Sequence, residues 1–215
     1  IEKKIFRQAD FIQAAIDKAQ EGSIIKVHPG IYRERLSIKK DNISLRGDGK
    51  AVIDLEGQRS SGAAINISDR RNIQIDGFEI RNVKGGETPT GIGIEGASRD
   101  ITITNNNIHH IENSKNAHGI IVRGTKSEPL RNIVIANNDV HHLKLGASES
   151  IAVNGNVDGF RILSNKVHDN DNIGIDVIGY EGTGRAGIDR ARNGIIAGNH
   201  VYNIDSQKNP AYRGS

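Results

Sequence analysis

Several residues in this chain are of types that carry out acid–base chemistry or bind polar ligands. An arginine can neutralise a carboxylate, a lysine or histidine can accept a proton, and two carboxylates about 5 to 9 Å apart can hydrolyse a glycosidic bond. The candidates for catalysis are Arg123, Lys144, Glu149 and Asp176, and the candidates for substrate binding are Glu95, His118, Asn154, Tyr180, Glu181 and Arg185. They can act together only if the fold brings them to one surface.

The elements that would position them come from a repeated segment. The sequence DITITNNNIHH at 100–110 returns at 132–142, 159–169 and 193–203, with a weaker copy at 72–82. The copies start 28, 32, 27 and 34 residues apart, at positions 72, 100, 132, 159 and 193. Such a period predicts a repeat architecture, and the alternation of apolar residues inside each copy predicts strands rather than helices.

A second column of short strands lies between these copies, at 65–67, 91–96, 119–124, 150–155 and 174–179. Strands one turn apart pair in parallel at about 4.8 Å, so the chain is predicted to be a parallel β-helix. A hydrophobic content of 35% fits, because a β-helix needs only thin isoleucine and valine stacks.

The outward positions of this second column form two rows. One row is Asn66, Gly93, Ile121, Ala152 and Asp176, and the other is Ser68, Glu95, Arg123, Asn154 and Ile178. Polar loops at 84–90, 112–118 and 144–149, and the insertion at 180–185, border this face. Loops on one side of a solenoid usually build its groove, so the functional site is predicted here.

Two further columns are predicted to be structural. The first, at the tight corner, is Phe78, Asn106, Asn138, Asn165 and Asn199, and is interpreted as an asparagine ladder. The second is Arg81, His109, His141, His168 and Tyr202, interpreted as a solvent-facing ladder. Strand spacing is too wide for several of these histidines to share one ion, so no metal ligands are predicted.

Both ends of the chain differ from the repeats. Asp10 is the predicted N-cap of a short helix that covers the first coil, with residues 1–55 forming the cap and first coil. Residues 56–215 are predicted to continue the same domain without a C-terminal cap, so a truncated or engineered piece that self-associates through this end is one alternative. The start at Ile1 suggests a removed leader or an artificial boundary.

Composition excludes several classes of function. There are no cysteines and therefore no disulfides or thiol chemistry. No apolar run approaches about 18 residues, so no membrane span is predicted. The net charge of +3 is compatible with an acidic polymer but does not indicate nucleic acid as a partner.

The opening FIQAAIDKAQEGSIIKVHPGIYRERLSI at 11–38 and the repeated Asn-x-Ile/Val-His corner resemble the pectate-lyase-like superfamily of right-handed parallel β-helix proteins. The resemblance covers nearly the whole chain. It implies a right-handed all-β fold with a short N-terminal capping α-helix. It also implies a secreted protein that acts on polysaccharides, especially polymers of uronic acids.

On that resemblance, the expected activity is a lyase acting on an acidic polysaccharide, with calcium as a candidate cofactor. Arg123 would neutralise the uronate carboxylate or assist the base, and Lys144 or His118 would be that base. Glu149, Asn154 and Asp176 would bind calcium or sugar. Three alternatives stay open: hydrolysis by Asp176 with Glu149 or Glu181, glycan binding without catalysis, and a purely structural solenoid.

Overall fold

The chain folds as a parallel β-solenoid in a computed structural model that describes residues 11–212. The strands, in chain order, are β1 Ile24–Lys26, β2 Gly30–Tyr32, β3 Leu36–Ile38, β4 Ser44–Asp54, β5 Ala63–Ser68, β6 Arg71–Lys84, β7 Thr90–Glu95, β8 Arg99–Thr104, β9 Asn107–Glu112, β10 His118–Gly124, β11 Leu130–Ala136, β12 Asp139–His141, β13 Ile151–Gly155, β14 Val157–Leu163, β15 Lys166–Asn170, β16 Ile175–Val177, β17 Ala191–Ala197 and β18 His200–Ile204. The predicted all-β parallel solenoid is confirmed.

One sheet carries the predicted site, and its outward surface is called the front face below. Its strands pair in parallel in the order β3-β5-β7-β10-β13-β16. Asn66 lies opposite Gly93, Gly93 opposite Ile121, and Arg123 opposite both Glu95 and Asn154. The register predicted for both outward rows is therefore confirmed for these pairs.

The other strands form a second, folded sheet that makes the remaining two sides of the solenoid. In most coils a tight corner divides this part of the turn into two strands, such as β8 and β9. Asn106 donates from its backbone N–H and its Nδ2 to Asn138 Oδ1, both at 3.0 Å. Asn138 donates in the same way to Asn165, which donates to Asn199, and Phe78 N–H donates to Asn106 at the other end.

Stacks of isoleucine and valine fill the interior between the three sides. Ile101, Ile133 and Ile162 are fully buried, as the alternating pattern predicts. Where the stack includes Phe160, its neighbour on the next strand is Gly194, and a Cβ at that position would collide with the phenyl ring. The missing side chain at Gly194 thus makes room for the phenyl ring.

A single short helix, α1 (Ile12–Lys18), packs on the first coils through Ile12, Ala15 and Ile16. Its first amides, from Ile12 and Gln13, donate to the Glu34 carboxylate at 2.6 and 3.0 Å. Phe11 occupies the N-cap position, and the predicted cap Asp10 lies outside the described residues. Glu34, which is distant in sequence, thus accepts hydrogen bonds from the backbone N–H groups that have no partner inside the helix. No helix within residues 11–212 is long and apolar enough to cross a membrane.

The segment after β18 turns back against the coils. It forms two short 3₁₀ helices, Ser206–Lys208 and Pro210–Tyr212. Between them the buried Asn209 donates from Nδ2 to the carbonyls of Gly146 and Asp171, at 2.6 and 3.0 Å. These bonds attach the segment to two earlier coils.

Candidate functional site

Two ionisable residues meet at the start of the front-face strands. His118 begins β10, and Glu149 lies just before β13, on the neighbouring coil. His118 Nδ1 is 3.1 Å from the Glu149 carbonyl oxygen and 3.6 Å from Glu149 Oε2. Both side chains are largely buried, with 8% and 13% of their side-chain surface exposed.

Burial changes the protonation of both groups. It lowers the pKa of His118 to about 4, and the positive charge of Arg123 acts in the same direction. Burial also raises the pKa of Glu149 to about 7, assisted by the negative charges of Asp176 and Glu181. At neutral pH His118 is therefore uncharged and Glu149 is divided between its acid and carboxylate forms, so their close approach is not a full ion pair. A group with a pKa near the working pH suits proton transfer.

The front-face row that contains Glu95, Arg123 and Asn154 supplies a cation and a hydrogen-bond acceptor without a partner. Arg123 Nη1 is 3.3 Å from Glu95 Oε1 on the adjacent strand, and about a third of each side chain is exposed. On the other side, Asn154 Nδ2 is 3.4 Å from Glu181 Oε2. Asn154 Oδ1 is buried and has no hydrogen-bond partner among the described residues. Such an acceptor without a partner is uncommon in a native fold.

A cleft of about 740 Å³ opens beside these residues. Its floor is made by Asn66, Gly93 and Ile121, and Glu95 and Arg123 line one end. Arg35 forms part of the opposite wall and donates to the Ser60 and Gly62 carbonyls at 2.6 and 2.5 Å. Gly93, which has no side chain, leaves room in the middle of this floor for a ligand. Sequence reasoning missed Arg35, although its position just before β3 could have indicated the wall.

The structure brings together most of the predicted site residues. Those with contacts or electrostatic interactions linking them on the front face are Glu95, His118, Arg123, Glu149, Asn154, Asp176 and Glu181. They come from β7, β10, β13, β16 and two loops. Parallel register aligns the strand residues, while burial of the loop before β13 turns Glu149 toward His118.

Three predicted residues lie apart from this group. Lys144 Nζ is 3.7 Å from Glu112 Oε2, and Lys144 lines a different cleft that also contains His110 and His142. The exposed Tyr180 accepts a hydrogen bond from Arg190 at 2.8 Å through its hydroxyl. Arg185 is exposed on the same insertion.

Asp189 anchors the insertion that carries these two residues. Its buried carboxylate accepts the Gly182 and Gly184 amides, each at 2.7 Å. These bonds fix the first half of the loop. Glu181 is the member of this loop that contacts a front-face strand residue, Asn154.

The arrangement of the acidic and histidine side chains bears on metal binding. Within residues 11–212, no group of three or more His, Cys, Asp or Glu is arranged to hold an ion. The histidine column stacks His109, His141 and His168 with ring centroids 5.0 Å apart, rather than converging on one point. His168 is buried rather than solvent-facing, held between Asp139 and Asp169.

Comparisons with known proteins give one sequence relative and several structural neighbours. No family model matches the chain. Protein YwoF of Bacillus subtilis (strain 168) is 38% identical over 196 residues, covering 84% of this chain and 41% of that protein. The chain thus spans about two fifths of this relative's length.

Among solved structures, an alginate lyase from Paenibacillus sp. str. FPU-7 matches with 15% identity and a TM-score of 0.41, over 90% of this chain and 93% of that one. A PL6 family alginate lyase matches with 16% identity and a TM-score of 0.43, over 94% and 41%. A mannuronan C-5 epimerase A-module from Azotobacter vinelandii matches with 18% identity and a TM-score of 0.29, over 89% and 82%.

Proposed function

We propose that this chain is a secreted carbohydrate-active protein whose front face binds a uronate-containing polysaccharide and cleaves it by elimination. The observation that supports this most directly is that Arg123 lines an open cleft and acts electrostatically on His118, which in turn lies against Glu149. Elimination requires a cation for the uronate carboxylate and a base for the neighbouring proton. Arg123 would supply the cation and Glu149 the base.

In the proposed reaction, the uronate carboxylate pairs with Arg123, which makes the C5 proton more acidic. The carboxylate form of Glu149 takes this proton, and the C5–H electron pair becomes the C4–C5 double bond. The C4–O bond breaks, and the departing oxygen takes a proton from water. Neutral His118 holds Glu149 in place without adding a positive charge that would depress its basicity.

The test is the ultraviolet absorbance of the unsaturated uronate product. Pectate, alginate, glucuronan and chondroitin would each be assayed with calcium and with a chelator, because calcium dependence is still a prediction. Absorbance is expected to rise with at least one polymer, and Arg123→Ala and Glu149→Gln are each expected to slow it at least about 100-fold. The exposed Arg161, on a different side of the solenoid, provides the matched control Arg161→Ala. Absence of any product on every polymer contradicts the proposal.

Hydrolysis is the second candidate because Asp176 and Glu149 interact electrostatically. A carboxyl with a raised pKa beside a second carboxylate is the arrangement that glycoside hydrolases use. It predicts new reducing ends without ultraviolet absorbance, and loss of those ends in Asp176→Asn. Retention of a polysaccharide without either product would instead support a binding protein.

A further inference from the structure

A row of arginines lies at the corner that follows the front face. Arg71 on β6 lies directly opposite Arg99 on β8, which lies opposite Arg131 on β11. All three are exposed. Neighbouring parallel strands are about 4.8 Å apart, so the row presents a guanidinium at three successive coils along the solenoid axis, and Asp158 occupies the next position.

Acidic residues neutralise the ends of this row but leave its centre uncompensated. Arg71 Nε is 3.0 Å from Asp41 Oδ2, and Arg131 Nη1 is 3.8 Å from Asp158 Oδ2. The Arg99 side chain makes neither an ion pair nor a hydrogen bond with any residue in the described part of the chain. Like charges directly opposite on adjacent strands are destabilising, so the fold gains nothing from an unpaired arginine between two others.

The surface around Arg99 is concave and carries more cations. A cleft of about 840 Å³ is lined by the cations Arg70, Arg71, Arg99 and Lys126, the carboxylates Asp41, Asp69 and Glu128, and the hydroxyl residues Thr125 and Ser127. The cations exceed the carboxylates by one, four against three. Lys126 Nζ is 2.8 Å from Asp69 Oδ2, which leaves Arg99 as the cation most available to a ligand. A guanidinium presents a planar set of donors that matches a carboxylate or sulfate.

We propose that this arginine row is a second binding track for an acidic polysaccharide, parallel to the front face and centred on Arg99. The charges repeat along a straight axis, which suits a linear polymer with an anion on successive sugars better than a small anion. Two members of the row closely follow front-face strands: Arg71 follows Ser68 by three residues, and Arg99 follows Glu95 by four. The identity of the polymer rests on the proposed function, whereas the binding itself does not.

Nucleic acid is the less favoured partner. Single-stranded nucleic acids are bound by aromatic side chains that stack on bases, beside a basic groove. The residues lining this cleft include no aromatic side chain, and the whole chain has a formal net charge of only +3. A polymer without bases to stack fits this surface better.

The test is affinity electrophoresis in gels that contain alginate or polygalacturonate, with neutral dextran as a blank. Arg99→Gln is expected to weaken retardation about threefold to fivefold, and Arg99→Glu about tenfold. Arg161→Gln and Arg161→Glu are matched controls, because Arg161 is an exposed arginine of β14 that lies opposite Val134 and Ile195 rather than other arginines. They are expected to change retardation less than about twofold. Circular dichroism of each variant verifies folding.

Three results would overturn the proposal: wild-type protein that no acidic polymer retards, equal effects of the Arg99 and Arg161 changes, or stronger retardation by DNA at equal charge concentration. The front face is tested separately. Arg123→Ala should lose the ultraviolet product while the dependence of retardation on Arg99 remains. Failure of the elimination assay with intact Arg99-dependent retardation therefore contradicts the proposed function alone.

Discussion

At the scale of single residues, Glu149 is the group whose environment differs most from water. Burial, together with Asp176 and Glu181, raises its pKa from 4.5 to about 7. The folded state therefore binds this proton more tightly than the unfolded state between those two pH values. The favourable contribution is complete below pH 4.5 and is lost as the pH rises through about 7. Above that, a poorly solvated charge remains in the folded protein.

Glu149→Gln is consequently expected to stabilise the fold at alkaline pH. The amide is neutral throughout, so the melting temperature of the variant relative to wild type should increase by about 5 °C between pH 5 and pH 8. Differential scanning calorimetry at both pH values measures this difference. The exposed Glu56 provides the control Glu56→Gln, for which the difference should not depend on pH. A Glu149→Gln effect of equal size at both values would refute a pKa near 7.

How far the site could be predicted from sequence depends on how each residue is attached to the fold. Arg123 and Glu95 could be placed together because they share a row, and parallel register determines such neighbours. Glu149 and Lys144 bracket one loop, and periodicity does not specify which way its side chains turn. The loop directs Glu149 toward His118, while Lys144 lies beside Glu112. Burial of Glu149, which produces its pKa, is equally invisible in a single sequence.

At the scale of elements, the tight corner depends on the asparagine column. Asn138 Oδ1 accepts from both the backbone N–H and the Nδ2 of Asn106, and its own Nδ2 donates to the Ile103 carbonyl and to Asn165 Oδ1. Asn138→Ala would leave several buried polar groups without partners. A loss of about 3 kcal/mol in the free energy of unfolding is expected, because each unsatisfied group costs about 1 to 3 kcal/mol.

Urea denaturation followed by circular dichroism measures that loss. The control is Asn107→Ala, since this exposed asparagine lies one residue from the column and makes a single surface bond to His141. Its expected cost is below about 1 kcal/mol. If both substitutions cost the same, the column would not be what holds the corner.

The sequence repeat predicts most of the strands and corners because the same corner and strand residues recur together in successive coils. Asn105 and Asn137, each just before the column, adopt φ of 56°, a left-handed conformation that asparagine tolerates. The same corner in the earlier coils was harder to predict. In those coils the single strand β6 continues through the corner. The corner lies at Gly77, whose φ is 75°. A Cβ at Gly47, on the preceding strand, would lie 2.6 Å from the Gly77 carbonyl oxygen, so glycine lets the two strands bend in contact.

At the scale of the whole molecule, stability comes from stacking each coil on the next. In β14 and β15 the core residues Ile162 and Val167 are fully buried. Their counterparts in β17 and β18, Ile196 and Val201, are 50% and 43% exposed. The same columns that form the interior elsewhere thus become an apolar surface here. Parallel strands at such a surface also present unpaired backbone groups that can accept another strand.

Self-association of the 215-residue chain through this surface is therefore predicted. Static light scattering over a range of concentrations should show the apparent mass increasing, because apolar area and strand edges are buried together when two such surfaces meet. Ile196→Lys should reduce the increase by placing a charge in the core column. The matched control is Ile31→Lys, which changes an isoleucine that is 58% exposed on β2 and should leave association unaltered. A constant monomer mass for the wild-type chain at all concentrations would show that the exposed columns do not associate.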